Sequence, residues 1–263
     1  MTHILITGGA GGLGREVTPR LQTAGHTVRV MSRRSRPATL APGLEWAQAD
    51  IETGAGLAEA TSSVEVIIHC ASSPLRHTKE VDVDGSRRLL EAARAAGVKR
   101  LVYVSIVGID RLPAYPYYRH KLAAEAVVRA GGVPYSILRA TQFHTLLDRL
   151  LQATAKFPLA LTFTDFKFQV IDTGEVAARL SALADAQPAG LLPDMGGPEV
   201  LTFGEMARVW FAAQGKPARL MRLPLPGKIA HGFRQGHNTC PDHRDGTITW
   251  GEWVKRTYGR NGR

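Results

Sequence analysis

The feature that most constrains this chain is its opening. A short alternating apolar segment, Thr2-His3-Ile4-Leu5-Ile6-Thr7, runs directly into Gly8-Gly9-Ala10-Gly11-Gly12-Leu13-Gly14 and then into a helical pattern. A glycine turn between a strand and a helix predicts a dinucleotide-binding unit, because each glycine has a task there. Gly8 allows the sharp turn, Gly11 lets the backbone approach a pyrophosphate, and Gly14 lets the helix lie close to the strand. The phosphates then rest on free N–H groups around Gly11, Gly12 and Leu13, at the positive end of the helix.

Short apolar runs alternate with helical patterns through the first 155 residues. Strands are predicted at 4–7, 28–31, 44–47, 64–69, 101–104 and 135–138, and helices near 12–23, 81–96, 117–130 and 143–154. Leu89, Leu90, Ala93 and Ala96 fall at core spacing. This alternation predicts an α/β fold, a Rossmann-type doubly wound parallel sheet covered on both faces. Beyond about residue 155 the rhythm loosens into short strands at 159–163 and 166–171, helices near 174–186 and 203–214, and a Pro/Gly-rich stretch at 223–227. The reading is therefore a dinucleotide-binding core over 1–155 and a smaller C-terminal lobe with substrate-pocket elements over 156–263.

Composition excludes more than it proves. No apolar run is long enough to span a membrane, and the N-terminus starts in a strand rather than in a signal peptide. Cys70 and Cys240 are too few for a disulfide framework, so a reducing cytoplasm is the expected compartment. The net charge of +10 is spread along the chain without a nucleic-acid-binding motif, and it reads as a solvated surface plus a site for an anionic cofactor. A small-molecule substrate is the expected partner, with neither nucleic acid nor membrane, and the sequence says nothing about oligomeric state.

The end of the second strand selects the nucleotide. An acidic residue there would clamp the ribose hydroxyls of NAD, whereas this chain has Ser32-Arg33-Arg34. Nothing repels a 2′-phosphate, and Arg33, then Arg34, can pair with it, so NADP(H) is the expected cofactor. Asp50, followed by Ile51, comes after the third strand, where it fits either an adenine contact or a simple turn.

The expected chemistry lies after the fifth strand. Ser105 is followed twelve residues later by Tyr117-Tyr118-Arg119-His120-Lys121, with Pro116 at the helix entrance. Tyr117 and Lys121, four apart, share a helix face, and Tyr118 can reach the same side. A nearby ammonium lowers the pKa of a phenol towards neutrality and makes it a usable acid or base. Ser105 can donate to a substrate oxygen on which charge develops, and Lys121 can also hold the nicotinamide ribose.

Together these residues resemble the atypical short-chain dehydrogenase/reductases of the NmrA-like, NAD(P)H-binding family. The resemblance is carried by the stretch from Thr7 to Gly14, the segment 81–93 (Val-Asp-Val-Asp-Gly-Ser-Arg-Arg-Leu-Leu-Glu-Ala-Ala), Val104-Ser105, Tyr117 to Lys121, and Leu138-Arg139-Ala140-Thr141-Gln142-Phe143. It implies a Rossmann core, a bound nicotinamide dinucleotide and, often, NADPH-dependent reduction of a carbonyl, quinone or imine. By the same resemblance Cys70, Ala71 and Ser72 form the nicotinamide-side wall, while Ala140 and Thr141 begin a loop that closes over the nicotinamide. Gln142, Phe143 and His144 are substrate-pocket candidates, with packing or loop roles as the alternative. Three departures stand out: Asp82 where relatives often carry Asn, His69-Cys70-Ala71-Ser72 in place of Asn-Asn-Ala-Gly, and Ala140 at a usual Pro position.

Two other readings remain open: a non-catalytic NADP(H) sensor that binds a regulatory partner, and a sugar-nucleotide epimerase, against which the Arg33-Arg34 pair argues. His231, His237, Cys240 and His243 lie close in sequence, but their spacing is not that of a standard zinc site, and no metal is expected.

Overall fold

The computed structural model describes residues 1–157, 159–217 and 219–259. Along the chain come β1 (His3–Thr7), α1 (Gly12–Thr23), β2 (Thr27–Ser32), β3 (Leu44–Gln48), α2 (Leu57–Thr61) and β4 (Val66–His69). A π-helical turn, Lys79–Asp84, leads into α3 (Gly85–Ala95), followed by β5 (Arg100–Ile106), α4 (Pro116–Ala130) and β6 (Tyr135–Ala140). Next are α5 (His144–Thr154), β7 (Ala160–Thr162), β8 (Lys167–Phe168), α6 (Thr173–Asp185) and β9 (Gly190–Leu191). The chain continues through β10 (Leu201–Thr202), α7 (Phe203–Ala212), β11 (Leu220–Arg222), α8 (Lys228–Gln235) and α9 (Trp250–Tyr258).

Two compact units share these elements. The first takes Met1–Ser105, Pro116–Arg139 and Gly174–Pro193. It holds a seven-stranded sheet in the order β3-β2-β1-β4-β5-β6-β9, the predicted Rossmann-type parallel sheet. The strand order reverses between β1 and β4, and open α/β sheets bind ligands beyond the carboxyl ends at such a switch point. Strands buried on both faces must be apolar throughout, which explains the fully buried Ile4, Leu5 and Ile6 of β1 and Val66, Ile67 and Ile68 of β4. On one face α3 and α4 press Leu89, Leu90, Ala93, Ala124 and Val128 onto Leu5, Ile67, Leu101 and Ile137. Each fully buried aliphatic side chain contributes about 1.5–3 kcal/mol of transfer free energy. Ala96, predicted for this core, is only half-buried at its rim.

The second unit takes 106–115, 140–173 and the described chain from Asp194 onward. Its strands are short: β8 pairs with β10, and β7 with β11. Its core is aromatic, with Phe166, Phe168, Phe203, Trp210 and Trp250 packed around Leu147 and Leu151. Two helices begin with reciprocal capping boxes, Thr202 with Glu205 for α7 and Thr249 with Glu252 for α9.

Candidate active site and dinucleotide cradle

The glycine turn has the shape its sequence implied. Gly8 adopts φ 66°, and a Cβ there would meet the Ala71 backbone at 2.9 Å. A Cβ on Gly11 would lie 3.0 Å from the Gly8 carbonyl oxygen, and one on Gly14 would fall onto the Gly8–Gly9 backbone. Around Gly12 there is open space. Helix α1 starts at this turn with no side-chain cap and no acidic residue in its first turn. Its first N–H groups and its positive end are thus left for an anion, and the cradle fits a dinucleotide pyrophosphate.

Farther along the same sheet, Arg33 and Arg34 are exposed. Their backbone carbonyls accept from Gln48 Nε2 at 3.5 Å and Trp46 Nε1 at 3.1 Å. Neither guanidinium has a carboxylate partner among the described residues, in contrast to Arg29, which pairs with Glu45 at 2.7 Å. Asp50 closes a turn: its Oδ1 accepts from Glu52 N at 2.9 Å, and its carbonyl from Gly54 N at 2.8 Å. Ile51 beside it is buried.

The end of β4 is a buried polar joint. His69 engages Thr7 Oγ1 through Nδ1 at 2.6 Å and Ser86 Oγ through Nε2 at 3.0 Å. Burial, with the Lys121 charge as a smaller cause, pushes the imidazole pKa down to about 3, so the ring is neutral. Burial pushes the Cys70 thiol up to about 12, which removes thiolate chemistry from this position. Ala71 N donates to Thr7 Oγ1 at 3.2 Å, fixing the wall next to Gly8.

Ser105, Tyr117 and Lys121 come from the end of β5 and the start of α4. Ser105 is 2% exposed, and its Oγ has no hydrogen-bond partner. A buried orphan hydroxyl costs free energy unless a ligand completes it, which fits a substrate oxygen. Lys121 Nζ donates to Tyr103 Oη at 2.5 Å and to the Val104 carbonyl at 3.0 Å, and lies 3.6 Å from Asp82 Oδ1. Tyr117 is half-buried, and its hydroxyl is 2.8 Å from Ser72 Oγ. Ser72 Oγ in turn donates to Asp82 Oδ1 at 2.7 Å, while Ser73 N donates to Oδ2 at 3.1 Å. Tyr118 is buried with its ring centroid 6.3 Å from that of Tyr117. Tyr117 is the member of the pair joined to this polar chain through Ser72.

Two features differ from expectation. The phenol of Tyr117 is pushed up to about 12, by burial first. Lys121 pulls it down, but the Asp82 charge adds to the rise, so the lysine effect does not win. In addition, Asp82, noted in the sequence only as a departure from Asn, is a fully buried hub supplied by the π-helical turn. Tyr103 was missed altogether, although Tyr103 and Ser105 lie two apart on one strand and so share a face. Helix α4 is pinned to β6 by a buried bidentate pair, Arg139 Nε to Glu125 Oε1 and Nη2 to Oε2, both 2.8 Å.

The remaining candidates lie in the second unit with internal partners there. Ala140 bridges to Met195, Thr141 N donates to the Met195 carbonyl at 3.0 Å, and Thr141 Oγ1 accepts from Gly197 N at 3.2 Å. Gln142 Oε1 accepts from Asn238 Nδ2 at 3.3 Å, and Phe143 bridges to Ile171. His144 is buried, its ring stacked on Trp250 and Trp253 at 5.8 and 5.6 Å. Cys240 is buried with its thiol pushed up to about 12, again chiefly by burial, while His231 and His243 are exposed. Among the described residues no group of three His, Cys, Asp or Glu side chains is placed to hold a metal ion. No helix among them is long and apolar enough to cross a membrane.

Comparison with known proteins agrees with this geometry. The family described as NAD(P)H-binding matches residues 8–183. The (4-alkanoyl-5-oxo-2,5-dihydrofuran-3-yl)methyl phosphate reductase of Streptomyces griseus is 31% identical over 225 residues, covering 84% of this chain and 77% of that protein. Photosystem II assembly factor Ycf39 of Trieres chinensis is 26% identical, covering 84% of this chain and 72% of its own length. An NADPH-dependent quinone oxidoreductase of Escherichia coli, solved with NADPH, shares the fold with a TM-score of 0.79 at 22% identity, covering 97% of this chain and 99% of that one.

Proposed function

The chain belongs to the NAD(P)H-binding family, of the atypical short-chain dehydrogenase/reductase type, and from that premise we propose that it is an NADPH-dependent reductase acting on a carbonyl, quinone or imine of a small organic substrate. The observation that carries the reading is the buried, unpartnered Ser105 hydroxyl in the same unit as a half-buried phenol joined to a lysine–aspartate pair. A purely structural cluster has no need of an orphan hydroxyl. When bound, the nicotinamide supplies a hydride. The protein then has to hold the substrate oxygen, deliver a proton to it and keep the reacting groups oriented. Ser105 Oγ–H donates to that oxygen as charge develops, and Tyr117 Oη–H gives it the proton. Lys121 balances the negative charge left on the phenol and offers its ammonium to ribose hydroxyls. The preference for NADPH rests on the free guanidiniums of Arg33 and Arg34, and the two free cysteines suit a reducing cytoplasm.

A second reading, a dinucleotide-binding protein without chemistry, is favoured by one observation. The Lys121 ammonium is already engaged by Tyr103, Val104 and Asp82. The two readings separate in one assay, oxidation of NADPH and of NADH against a panel of quinones, ketones and imines, with Tyr117→Phe alongside. A reductase turns over, prefers NADPH and loses about 10²–10⁴-fold in the variant while still binding the cofactor. Saturable NADPH binding with no turnover anywhere in the panel replaces the reductase by the sensor. Turnover that survives in Tyr117→Phe removes Tyr117 from the chemistry.

A further inference from the structure

The reading of Tyr117 as a proton donor has a further consequence in the direction of its hydrogen bond, and the consequence rests on that reading. Ser72 carries one hydroxyl hydrogen and has two oxygen neighbours, Asp82 Oδ1 at 2.7 Å and Tyr117 Oη at 2.8 Å. Asp82 is fully buried and ion-paired with Lys121, so its carboxylate can only accept. An anion holds that hydrogen more strongly than a neutral phenol oxygen does. The hydrogen therefore points at Asp82, and the bond between Ser72 and Tyr117 has only one hydrogen left to use, the phenol's own.

We propose that Asp82 is a positioning residue: by holding the single hydrogen of Ser72 it obliges Tyr117 to donate its own, and so keeps the phenol as an acid rather than a base. Removing the Tyr117 proton would leave two anions competing for one serine hydrogen. The arrangement favours delivery of a proton, which reduction needs, over its abstraction, which oxidation of an alcohol needs. In the forward step the hydride and its electron pair go to the substrate carbon and the phenolic proton goes to the oxygen. Tyr117 is left as phenolate until water reprotonates it, and Ser72 is exposed at that point. The π-helical turn at Lys79–Asp84 brings the carboxylate to this position, and Ser73 N fixes its second oxygen. The other titratable groups facing Tyr117 are Lys121 on its own helix and Tyr103 on β5, with the Tyr118 ring beside it. An asparagine here would keep the shape and lose the charge that holds the serine hydrogen.

The test reads the phenol without any substrate, so it is independent of whether turnover is found. Fluorotyrosine is incorporated in place of the six tyrosines, which brings phenol ionisation into an accessible pH range, and fluorine NMR follows each ring. Tyr117→Phe identifies the Tyr117 signal. In Asp82→Asn the Tyr117 midpoint falls by about one unit or more, and the shift shrinks when Ser72 is Ala, because Asp82 acts through Ser72. Ser72→Ala alone lowers the midpoint, and Ser72→Thr, which restores the hydroxyl, keeps it near the parent value. If Asp82→Asn does not fold, the Ala and Thr variants at Ser72 decide the matter. A Tyr117 midpoint that ignores both positions overturns the proposal. So does an Asp82→Asn shift that persists undiminished in the Ser72→Ala background, which would reduce Asp82 to a distant charge.

Discussion

Both units bury charged and amide side chains, and they use them differently. In the second unit Asp148 accepts from Trp210 Nε1 at 2.7 Å and from Tyr258 Oη at 2.5 Å, while Gln169 bonds the backbone at Gly197, Cys240 and His243. These groups spend their hydrogen-bonding capacity on framework: they tie loops to an aromatic core whose strands are too short to hold themselves. In the first unit the sheet already holds the chain, and the buried polar groups of Asp82, Lys121 and Ser72 lead instead to a half-buried phenol. Ser105 Oγ has no partner at all. The difference teaches where to look for chemistry. A satisfied buried polar group marks architecture, and an incomplete one on a rigid sheet marks a place for a ligand.

The sharpest way to break this contrast is to remove the cation from the first cluster. Lys121→Met leaves the Asp82 carboxylate buried without its partner, and breaking such a pair costs about 3–5 kcal/mol. The double change with Asp82→Asn recovers much of that stability in denaturant titration without restoring turnover. If stability and turnover return together, the first cluster is as structural as the second. Asp148→Ala gives the opposite signature. It strands a buried indole N–H and a tyrosine hydroxyl, lowers stability by about 1–3 kcal/mol, and leaves NADPH affinity at the parent value. A loss of NADPH affinity beyond the loss of folded protein would show that the framework cluster also serves the cofactor.

The same contrast governs what the sequence made legible. The first unit is built from strands and helices with clean periodicity, so the elements 1–6 of its sheet fall within a residue or two of their expected positions. The cradle was readable because glycine alone fits Gly8 and Gly14. The second unit was read poorly because its order comes from aromatic packing between short segments. Helix α9 was missed even though Thr249-Trp250-Gly251-Glu252 repeats the capping pattern of Thr202-Phe203-Gly204-Glu205, which opens a helix that was expected. Within the site, Tyr117 and Lys121 could be paired by spacing. Asp82 could not be placed, because its role depends on a π-helical turn that shifts its register against α4, and no local pattern announces such a turn.

The smallest expected effect per unit change tests the first cluster without touching Asp82 or Tyr117. His69 titrates at about 3 in the folded chain, far below the 6.5 of an exposed imidazole, because burial disfavours its charged form. Between those values the unfolded chain binds a proton that the folded chain refuses. The stabilisation is therefore complete above about pH 6.5 and declines as pH falls towards about 3, by about 1.4 kcal/mol per pH unit. His69→Gln removes that contribution. In urea titrations from pH 6 down to pH 4, the stability difference between parent and variant should shrink at that slope. Parallel curves would mean that the imidazole is not held neutral at the Thr7–Ser86 joint. The polar groups at the end of β4 would then be open to water, and the buried chain from Lys121 to Tyr117 would lose the dry wall that gives its charges their strength.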